Sequence, residues 1–398
     1  MSMFSAVTMA PRDPILGLNE QFAADTSPNK VNLGVGVYYD DEGKLPLLAC
    51  VRQAEQQMNA SPKARGYLPI DGIAAYDQAV KNLVFGAGSE PVTGGRVATV
   101  QALGGTGGLK IGADFLRQLS PQAQVLISDP SWENHRALFS QAGFDVGTYA
   151  YYDAARRGVN FEGMLAALQG AAAGTIVVLH ACCHNPTGYD ITAAQWDQVV
   201  AACKARDLVP FLDMAYQGFG HGIAEDGAVI GKFVAAGLTF LVSTSFSKSF
   251  SLYGERVGAL SVLCQDKDEA ARVLSQLKIM IRTNYSNPPT HGGTVVANVL
   301  GTPELRALWE KELGEMRVRI KQMRVALVDK LKAAGVKQDM SFITDQIGMF
   351  SYSGLSKDQM VRLRDEFSVY GTDTGRMCVA ALNSKNIDYV CQSIAKVI

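Results

Sequence analysis

Short apolar runs alternate with segments of helical periodicity in the central part of the chain. The runs have the length of strands and occupy residues 96–103, 124–128, 175–180, 208–213, 238–242 and 258–264. After the first run, Leu109, Gly112, Ala113 and Leu116 follow helical spacing, and other helical segments separate the later runs. Strands that alternate with helices are typical of a mainly parallel sheet, so the pattern predicts an α/β fold.

The N-terminal part carries a different pattern. Asp13 and Pro14 predict the start of a helix, with Asp13 as its cap and Pro14 at the first helical position. Residues 31–39 predict a strand that Gly34 and Gly36 interrupt. Glycine at such positions either lets the backbone approach a ligand closely or marks a bulge.

The C-terminal part predicts a long helix followed by a smaller α+β unit. Thr302 and Pro303 begin a helical pattern that continues to about residue 332, and residues 337–398 follow it. Within this unit Arg376 stands beside a glycine in an apolar context. Arg376 is either a surface charge or a two-pronged donor for the carboxylate of a substrate.

Polar and aromatic residues follow several of the predicted central strands. Ligands of parallel α/β sheets bind beyond the carboxyl ends of the strands. The residues at these ends are the glycine turn 104–108, Trp132, Asn185, Asp213, Tyr216 and Lys248. Considered by itself, Trp132 has a role in the hydrophobic core as the alternative to ligand binding. The corresponding alternative for Asp213 is a helix cap. Their common position at one edge favours a ligand site.

Lys248 lies in a stretch that combines a nucleophile with anion-binding groups. Two flanking phenylalanines and a nearby arginine favour the neutral amine, because burial and like charge lower the pKa of a lysine. Ser245, Ser247 and Arg256 are donors that suit a dianionic phosphate. A lysine that forms a Schiff base beside such donors suggests pyridoxal phosphate. The alternative is a solvated loop lysine.

The segment after residue 179 contains four potential metal ligands. In an extended chain His180, Cys182 and His184 share one face and Cys183 points to the other. No Cys-x-x-Cys pair completes a tetrahedral zinc site, so we expect no metal.

Composition limits the partners of the protein. The 398 residues are 47% hydrophobic and 19% charged, with a net charge of −1. Such a balance provides no long-range attraction to nucleic acid or to an anionic membrane, so the expected ligand is small. The seven cysteines lack disulfide-like spacing and the start of the chain lacks a signal peptide, which together predict a cytoplasmic location.

From Asp13 to Cys378 the motifs resemble class I aminotransferases of fold type I, in the branch of the aspartate and aromatic amino acid enzymes. The matching motifs are Ser-x-Ser-Lys with Gly-Glu-Arg-Val-Gly, His-Asn-Pro-Thr-Gly, and Asn-Tyr-Ser-Asn-Pro-Pro, in the family's order. The resemblance implies pyridoxal phosphate as cofactor, a large domain with a mainly parallel sheet, and a smaller α+β domain. The expected division is an arm at 1–12, a small domain from 13–45 and 313–398, and a large domain at 46–312.

The resemblance also assigns roles around the cofactor. Lys248 matches the Schiff-base lysine and proton shuttle, and Asp213 matches the partner of the ring nitrogen. Asn185 and Tyr216 match the groups on the ring oxygen, and Trp132 matches the stacking residue. The implied phosphate cup consists of Gly105, Thr106, Ser245, Ser247 and Arg256. Tyr67 resembles the tyrosine that reaches the phosphate of a second subunit, which implies a homodimer with shared active sites.

The same comparison assigns the substrate contacts. Arg376, with Gly36 beside it, matches the arginine that binds the α-carboxylate, and Arg282 matches the one that binds a distal carboxylate across the dimer. Tyr39 and Leu45 stand where the aromatic branch carries apolar groups. In contrast, Thr106 and Asn287 are typical of aspartate enzymes, and Ser286 is a further candidate for substrate contact.

We therefore expect ping-pong transamination of aromatic amino acids with 2-oxoglutarate, with aspartate also accepted. Phenylalanine and tyrosine are the expected substrates and tryptophan is a further candidate. The alternatives are an aspartate aminotransferase with minor aromatic activity, a pyridoxal-phosphate lyase on the same fold, and a non-catalytic nucleotide-binding module.

Overall fold

A seven-stranded sheet forms the centre of the computed structural model, which describes residues 2–398. The strands are β1 (Val31–Asn32), β2 (Val97–Leu103), β3 (Gln124–Asp129), β4 (Asp145–Ala150), β5 (Tyr152–Asp153), β6 (Gly158–Val159), β7 (Ile176–His180), β8 (Val209–Met214), β9 (Phe240–Ser245), β10 (Val257–Leu263), β11 (Phe350–Tyr352), β12 (Val369–Tyr370) and β13 (Arg376–Cys378). The central sheet has the order β2-β10-β9-β8-β7-β3-β4. Only β10 runs antiparallel to its neighbours, so the predicted mainly parallel α/β sheet is confirmed.

Helices cover both faces of this sheet and extend beyond it. They are α1 (Leu16–Ala24), α2 (Ala49–Ala60), α3 (Ala74–Phe85), α4 (Glu90–Thr93), α5 (Gly104–Leu119), α6 (Glu133–Gln141), α7 (Phe161–Gly170), α8 (Ala193–Ala205), α9 (Ile223–Ala235), α10 (Lys267–Asn284), α11 (His291–Gly301), α12 (Pro303–Ala333), α13 (Lys357–Phe367) and α14 (Ile387–Val397). No helix within residues 2–398 is both long and apolar enough to cross a membrane.

The strands are apolar on both faces because the sheet separates two hydrophobic cores. In β7, Ile176 and Val178 point into one core, whereas Val177 and Leu179 point into the other. Both faces are covered, as is usual for parallel sheets, so the strands read as continuous apolar runs. This explains why six of the seven strands were predictable, whereas the edge strand β4, which is only partly buried, was not predicted.

Helix α1 begins later than predicted. The carboxylate of Asp13 accepts hydrogen bonds from the backbone N–H groups of Ile15 and Leu16 at 2.9 and 2.7 Å, but the N-cap is Ile15, so the predicted cap was wrong by two positions. The helix itself starts at Leu16, and Pro14 lies in the turn before it. The predicted first helical position was therefore wrong.

The predicted strand at residues 31–39 is shorter than expected. Only β1 pairs, in parallel with β12, so that Val31 lies opposite Val369. Beyond β1 the side chain of Leu18 packs against Gly34, where an added Cβ would lie 2.5 Å from it. The prediction was wrong in extent because its short pairing partner is remote in the sequence.

The pairing of β1 with β12 joins the two ends of the chain. This contact agrees with a small domain built from both ends, although the domain division stays a prediction. Helix α12 spans the predicted boundary at 312/313 and confirms the predicted long helix. Residues 2–12 are exposed, as expected for an arm, and Met1 lies outside the described residues.

Candidate active site

A cavity of about 360 Å³ lies at the carboxyl edge of the central sheet. Turns that follow β2, β7, β8 and β9 contribute to it, as do segments from both ends of the chain. The predicted site residues that line it are Gly36, Gly105, Thr106, Trp132, Asn185, Asp213, Tyr216, Ser245, Ser247, Lys248, Arg256 and Arg376. The structure therefore brings together residues that are up to 340 positions apart in the chain.

Lys248 supplies an amine whose pKa is low for a lysine. The pKa is lowered to about 8, mainly by burial and also by the charges of Arg256 and Arg376, against the opposing effect of Asp213. Its Nζ lies 5.0 Å from the ring centre of Tyr216. An amine with this pKa is partly neutral near pH 7 and can act as a nucleophile or a base.

Asp213 is a buried carboxylate at the end of β8. Burial by itself would raise its pKa, but the hydrogen bond to His135 and nearby positive groups outweigh burial, and the pKa is lowered. The Oδ2 atom of Asp213 lies 2.8 Å from Nε2 of His135, whose Nδ1 lies 2.9 Å from the hydroxyl of Ser131. An ionised carboxylate held in this way can keep a protonated ring nitrogen charged.

Arg376 presents a buried guanidinium to the cavity. Nη1 donates to Oδ1 of Asn185 at 3.0 Å, and Nη2 donates to the carbonyl of Gly34 at 2.6 Å. The ring of Phe350 lies against the guanidinium, with its centre 4.4 Å from Cζ. Within residues 2–398 the Nε atom has no hydrogen-bond partner. Arg376 therefore keeps donor capacity for an anion that enters the cavity.

The start of α5 and the turn after β9 form an anion-binding cup. No side chain caps α5, so its first N–H groups remain available. Arg256 approaches so closely that a Cβ on Gly104 would lie 2.4 Å from its Nη2. Its Nη1 donates to the hydroxyl of Ser247 at 3.2 Å, and Ser245 packs against Gly105. This set of donors fits a phosphate group.

His135 and His180 are site residues to which the sequence analysis assigned no role. His180 lines the cavity, and within the described chain neither of its ring nitrogens has a hydrogen-bond partner. Burial and the nearby His135 lower the pKa of His180 to about 3, so its ring is neutral. The position of His180 at the end of β7 was the available signal, whereas His135 follows Trp132 on the buried face of α6.

The potential metal ligands after residue 179 do not have the arrangement that an extended chain would give them. His180 lies with His135 and Asp213, whereas Cys182 lies with Cys183. The chain is not extended through this segment, since the backbone of Cys183 is left-handed with a φ of +52°.

The other predicted site residues lie outside the cavity of this chain. Tyr67 is 96% exposed, Leu45 is exposed, and Tyr39 packs partly buried against the core. The hydroxyl of Ser286 accepts from Nη1 of Arg282 at 2.6 Å and from the amide of Asn287 at 3.2 Å. The assigned roles of these residues remain predictions.

Comparison with known proteins identifies the family. Residues 28–394 match the model of the family described as aminotransferase class I and II. This chain belongs to that family. The aminotransferase is 62% identical to the aspartate aminotransferase of Pseudomonas aeruginosa, with both chains covered completely. It is 51% identical to the tyrosine aminotransferase of Klebsiella pneumoniae, over 99% of this chain and 100% of the relative.

A solved structure confirms the fold. The aminotransferase superposes with a TM-score of 0.97 on the aromatic-amino-acid aminotransferase of Burkholderia pseudomallei, which is covalently bound to pyridoxal phosphate. The two sequences are 66% identical and both chains are covered completely. The predicted family, its fold and the predicted class of enzyme are thus confirmed.

Proposed function

We propose that this aminotransferase transfers the amino group of aromatic L-amino acids to 2-oxoglutarate and also accepts aspartate. The observation that carries the proposal is the apolar wall of the cavity that contains Arg376. The wall consists of Ile15, Leu16, Val35, Val37, Leu109 and Phe350. A phenyl or phenol side chain gains free energy by leaving water for such a wall, at about 25 cal/mol per Å² of buried apolar area.

Pyridoxal phosphate is the cofactor of the family, and the residues of this chain fit it. The cup formed by α5, Ser245, Ser247 and Arg256 suits its phosphate, and the ionised Asp213 suits its protonated ring nitrogen. When bound, the cofactor supplies an electron sink that stabilises negative charge on the substrate Cα.

Lys248 is the residue we assign to cofactor attachment and to proton transfer. Its amine reaches the neutral state near physiological pH because its pKa is about 8. Whenever the amine of Lys248 is not attached to the cofactor, it would be free to accept the proton of the substrate Cα. Burial raises the pKa of Tyr216, so the phenol stays protonated and can donate to the ring oxygen, as the amide of Asn185 can.

Arg376 is the residue we assign to the α-carboxylate of the substrate, with its unpartnered Nε as the first donor. The fork geometry of arginine matches a carboxylate, and binding in a buried site strengthens each charge-assisted hydrogen bond. Gly36 leaves room beside it, because a Cβ there would lie 2.6 Å from the ring of Phe350.

A homodimer with shared active sites is part of the proposal. Tyr67 and Arg282 lie outside the cavity of their own chain, as expected for residues that serve a second copy. The exposed apolar side chains of the arm also favour burial against another chain, and they are Met3, Phe4, Val7 and Met9. A cytoplasmic location is proposed as well, since the cysteines within residues 2–398 are all buried and free.

An aspartate aminotransferase with minor aromatic activity is the second candidate. Its support is the 62% identical relative of that name, together with Thr106 and Asn287. A pyridoxal-phosphate lyase is a weaker alternative, because a lyase needs no second carboxylate site such as Arg282 would provide.

Half-reactions separate these candidates. The purified, pyridoxal-loaded protein is mixed with phenylalanine or with aspartate while the visible absorbance of the bound cofactor is followed. Rapid conversion by both substrates supports the proposal, whereas conversion by aspartate alone supports the second candidate. Steady release of pyruvate or ammonia without an acceptor would instead point to the lyase.

A further inference from the structure

Arg324 is a buried cation that no acidic side chain neutralises. It lies on α12 with 2% of its surface exposed, and no carboxylate within residues 2–398 comes within 4.0 Å of its guanidinium. Its Nη2 donates to the carbonyl of Phe350 at 2.5 Å, and its Nε has no partner in the same part of the chain. A buried charge without a counter-ion destabilises a fold, so packing alone does not account for this residue.

Phe350, which accepts this hydrogen bond, is in contact with the groups that build the carboxylate site. Its ring lies against the guanidinium of Arg376 and fills the space beside Gly36. The ring centre of Tyr216 lies 5.8 Å away in an edge-to-face arrangement. A shift of this one ring would therefore disturb several residues of the site.

The carbonyl of Phe350 also lies next to the loop that carries Asn185. A Cβ on Gly188 would lie 2.8 Å from this carbonyl oxygen, and the Gly188 carbonyl accepts from the N–H of Ile347 at 2.7 Å. Asn185 in turn accepts from Arg376. The carbonyl that anchors Arg324 thus belongs to the residue whose ring lies against the Arg376 guanidinium, and it lies beside Gly188, three residues after Asn185.

β11 belongs to a two-stranded sheet in which Phe350 pairs with Cys378 and Tyr352 pairs with Arg376. A sheet of two strands has no further strand to bond the outward carbonyl groups. Arg324 provides the donor for the outward carbonyl of Phe350 and so links α12 to the sheet that carries Arg376.

We propose that Arg324 is a positioning residue for the substrate carboxylate: through Phe350 it holds the guanidinium of Arg376 in its binding orientation. The inference rests on the proposed role of Arg376. It predicts that Arg324 acts on substrate affinity, whereas a residue that only stabilises the core would change the melting temperature and leave the KM of the folded enzyme unchanged.

The test compares Arg324→Lys and Arg324→Met in the pyridoxal-loaded enzyme. We expect the KM for both the amino acid and the oxo acid to rise about tenfold, because a change of this size corresponds to the loss of one well-placed hydrogen bond. The value of kcat should change less than about threefold, and the cofactor absorbance should stay unchanged. Arg317→Met is the matched control, because Arg317 lies on the same helix and donates to the carbonyl of Gly218 instead.

Two further measurements keep the outcomes distinct. In a Phe350→Leu background, Arg324→Lys should raise the KM much less than in the wild type, since the ring through which it acts is gone. Arg376→Lys is measured in parallel. A raised KM for Arg376→Lys with an unchanged KM for Arg324→Lys would overturn this inference alone. An unchanged KM for Arg376→Lys would overturn the proposed carboxylate site itself.

Discussion

Replacing Arg376 by lysine tests the proposed substrate site most directly. Lysine keeps the positive charge but offers a single ammonium group in place of a rigid fork. The substitution removes at least one of the donors available to a substrate carboxylate. It also removes the Nη1 donor to Oδ1 of Asn185 and the Nη2 donor to the carbonyl of Gly34.

The magnitude follows from the hydrogen bonds involved. A hydrogen bond to a charged partner contributes about 1.5–3 kcal/mol, which corresponds to roughly 10- to 100-fold in affinity. We therefore expect Arg376→Lys to lower kcat/KM by that factor for every carboxylate substrate, mostly through KM. Arg376→Met, which loses the guanidinium donors and the charge, should lower kcat/KM by about 100- to 10,000-fold.

Steady-state kinetics with phenylalanine and 2-oxoglutarate provide the assay. Arg364→Lys is the matched control, because Arg364 bonds to Asp373 at 2.9 Å in a neighbouring groove and does not line the cavity. Melting temperatures and cofactor absorbance establish that each variant is folded and loaded. A decrease of less than about threefold for Arg376→Lys would refute the assigned role.

Three further predictions concern buried ionisable groups. Asp213→Asn should slow the phenylalanine half-reaction at least about 10- to 100-fold by removing an ionised partner of the ring nitrogen; an unchanged stopped-flow rate would contradict its role. In the cofactor-free protein, the rate at which an amine reagent labels Lys248 should rise with pH, with a midpoint near pH 8. Lys248→Arg should abolish this pH-dependent labelling. A midpoint near pH 10 would contradict the argument that burial lowers the pKa. Burial raises the pKa of Asp77 to about 8, well above its unfolded value, so stability is lost as pH rises from about 4 to about 8. Asp77→Asn should therefore stabilise the protein by ~2–5 kcal/mol in denaturant titrations at pH 8 and by less at pH 5, unlike Asp197→Asn, which breaks an ion pair with Lys232. Equal effects of Asp77→Asn at both pH values would count against this reasoning.

The sequence predicted the central sheet well because buried parallel strands are continuous apolar runs. The same reasoning located Asp213 and Lys248, since Asp213 ends one such run and Lys248 follows another within six residues. Arg376 and Gly36 lie far from the sheet in sequence, and periodicity alone left Arg376 open as a surface charge. Only the resemblance to a family placed these two residues in the site, and the cavity contains both.

Other features depended on contacts that no local pattern encodes. The hydrogen bond between His135 and Asp213 joins residues 78 positions apart, so a buried histidine on a helix gave no separate signal. The strand predicted at 31–39 was too long because its extent depends on β12, more than 300 residues later. The start of α1 likewise depends on the turn around Pro14 and not on the preference of proline for the first helical position.

The cavity divides its two tasks between different parts of the chain. The cofactor cup and its acidic and basic partners fall within residues 104–256, whereas Gly36, Phe350 and Arg376 come from the two ends. Substrate preference can therefore diverge while the chemistry is left intact. Because β1 and β12 pair across these ends, a chimaera that exchanges substrate preference between relatives must take both terminal segments from the same parent.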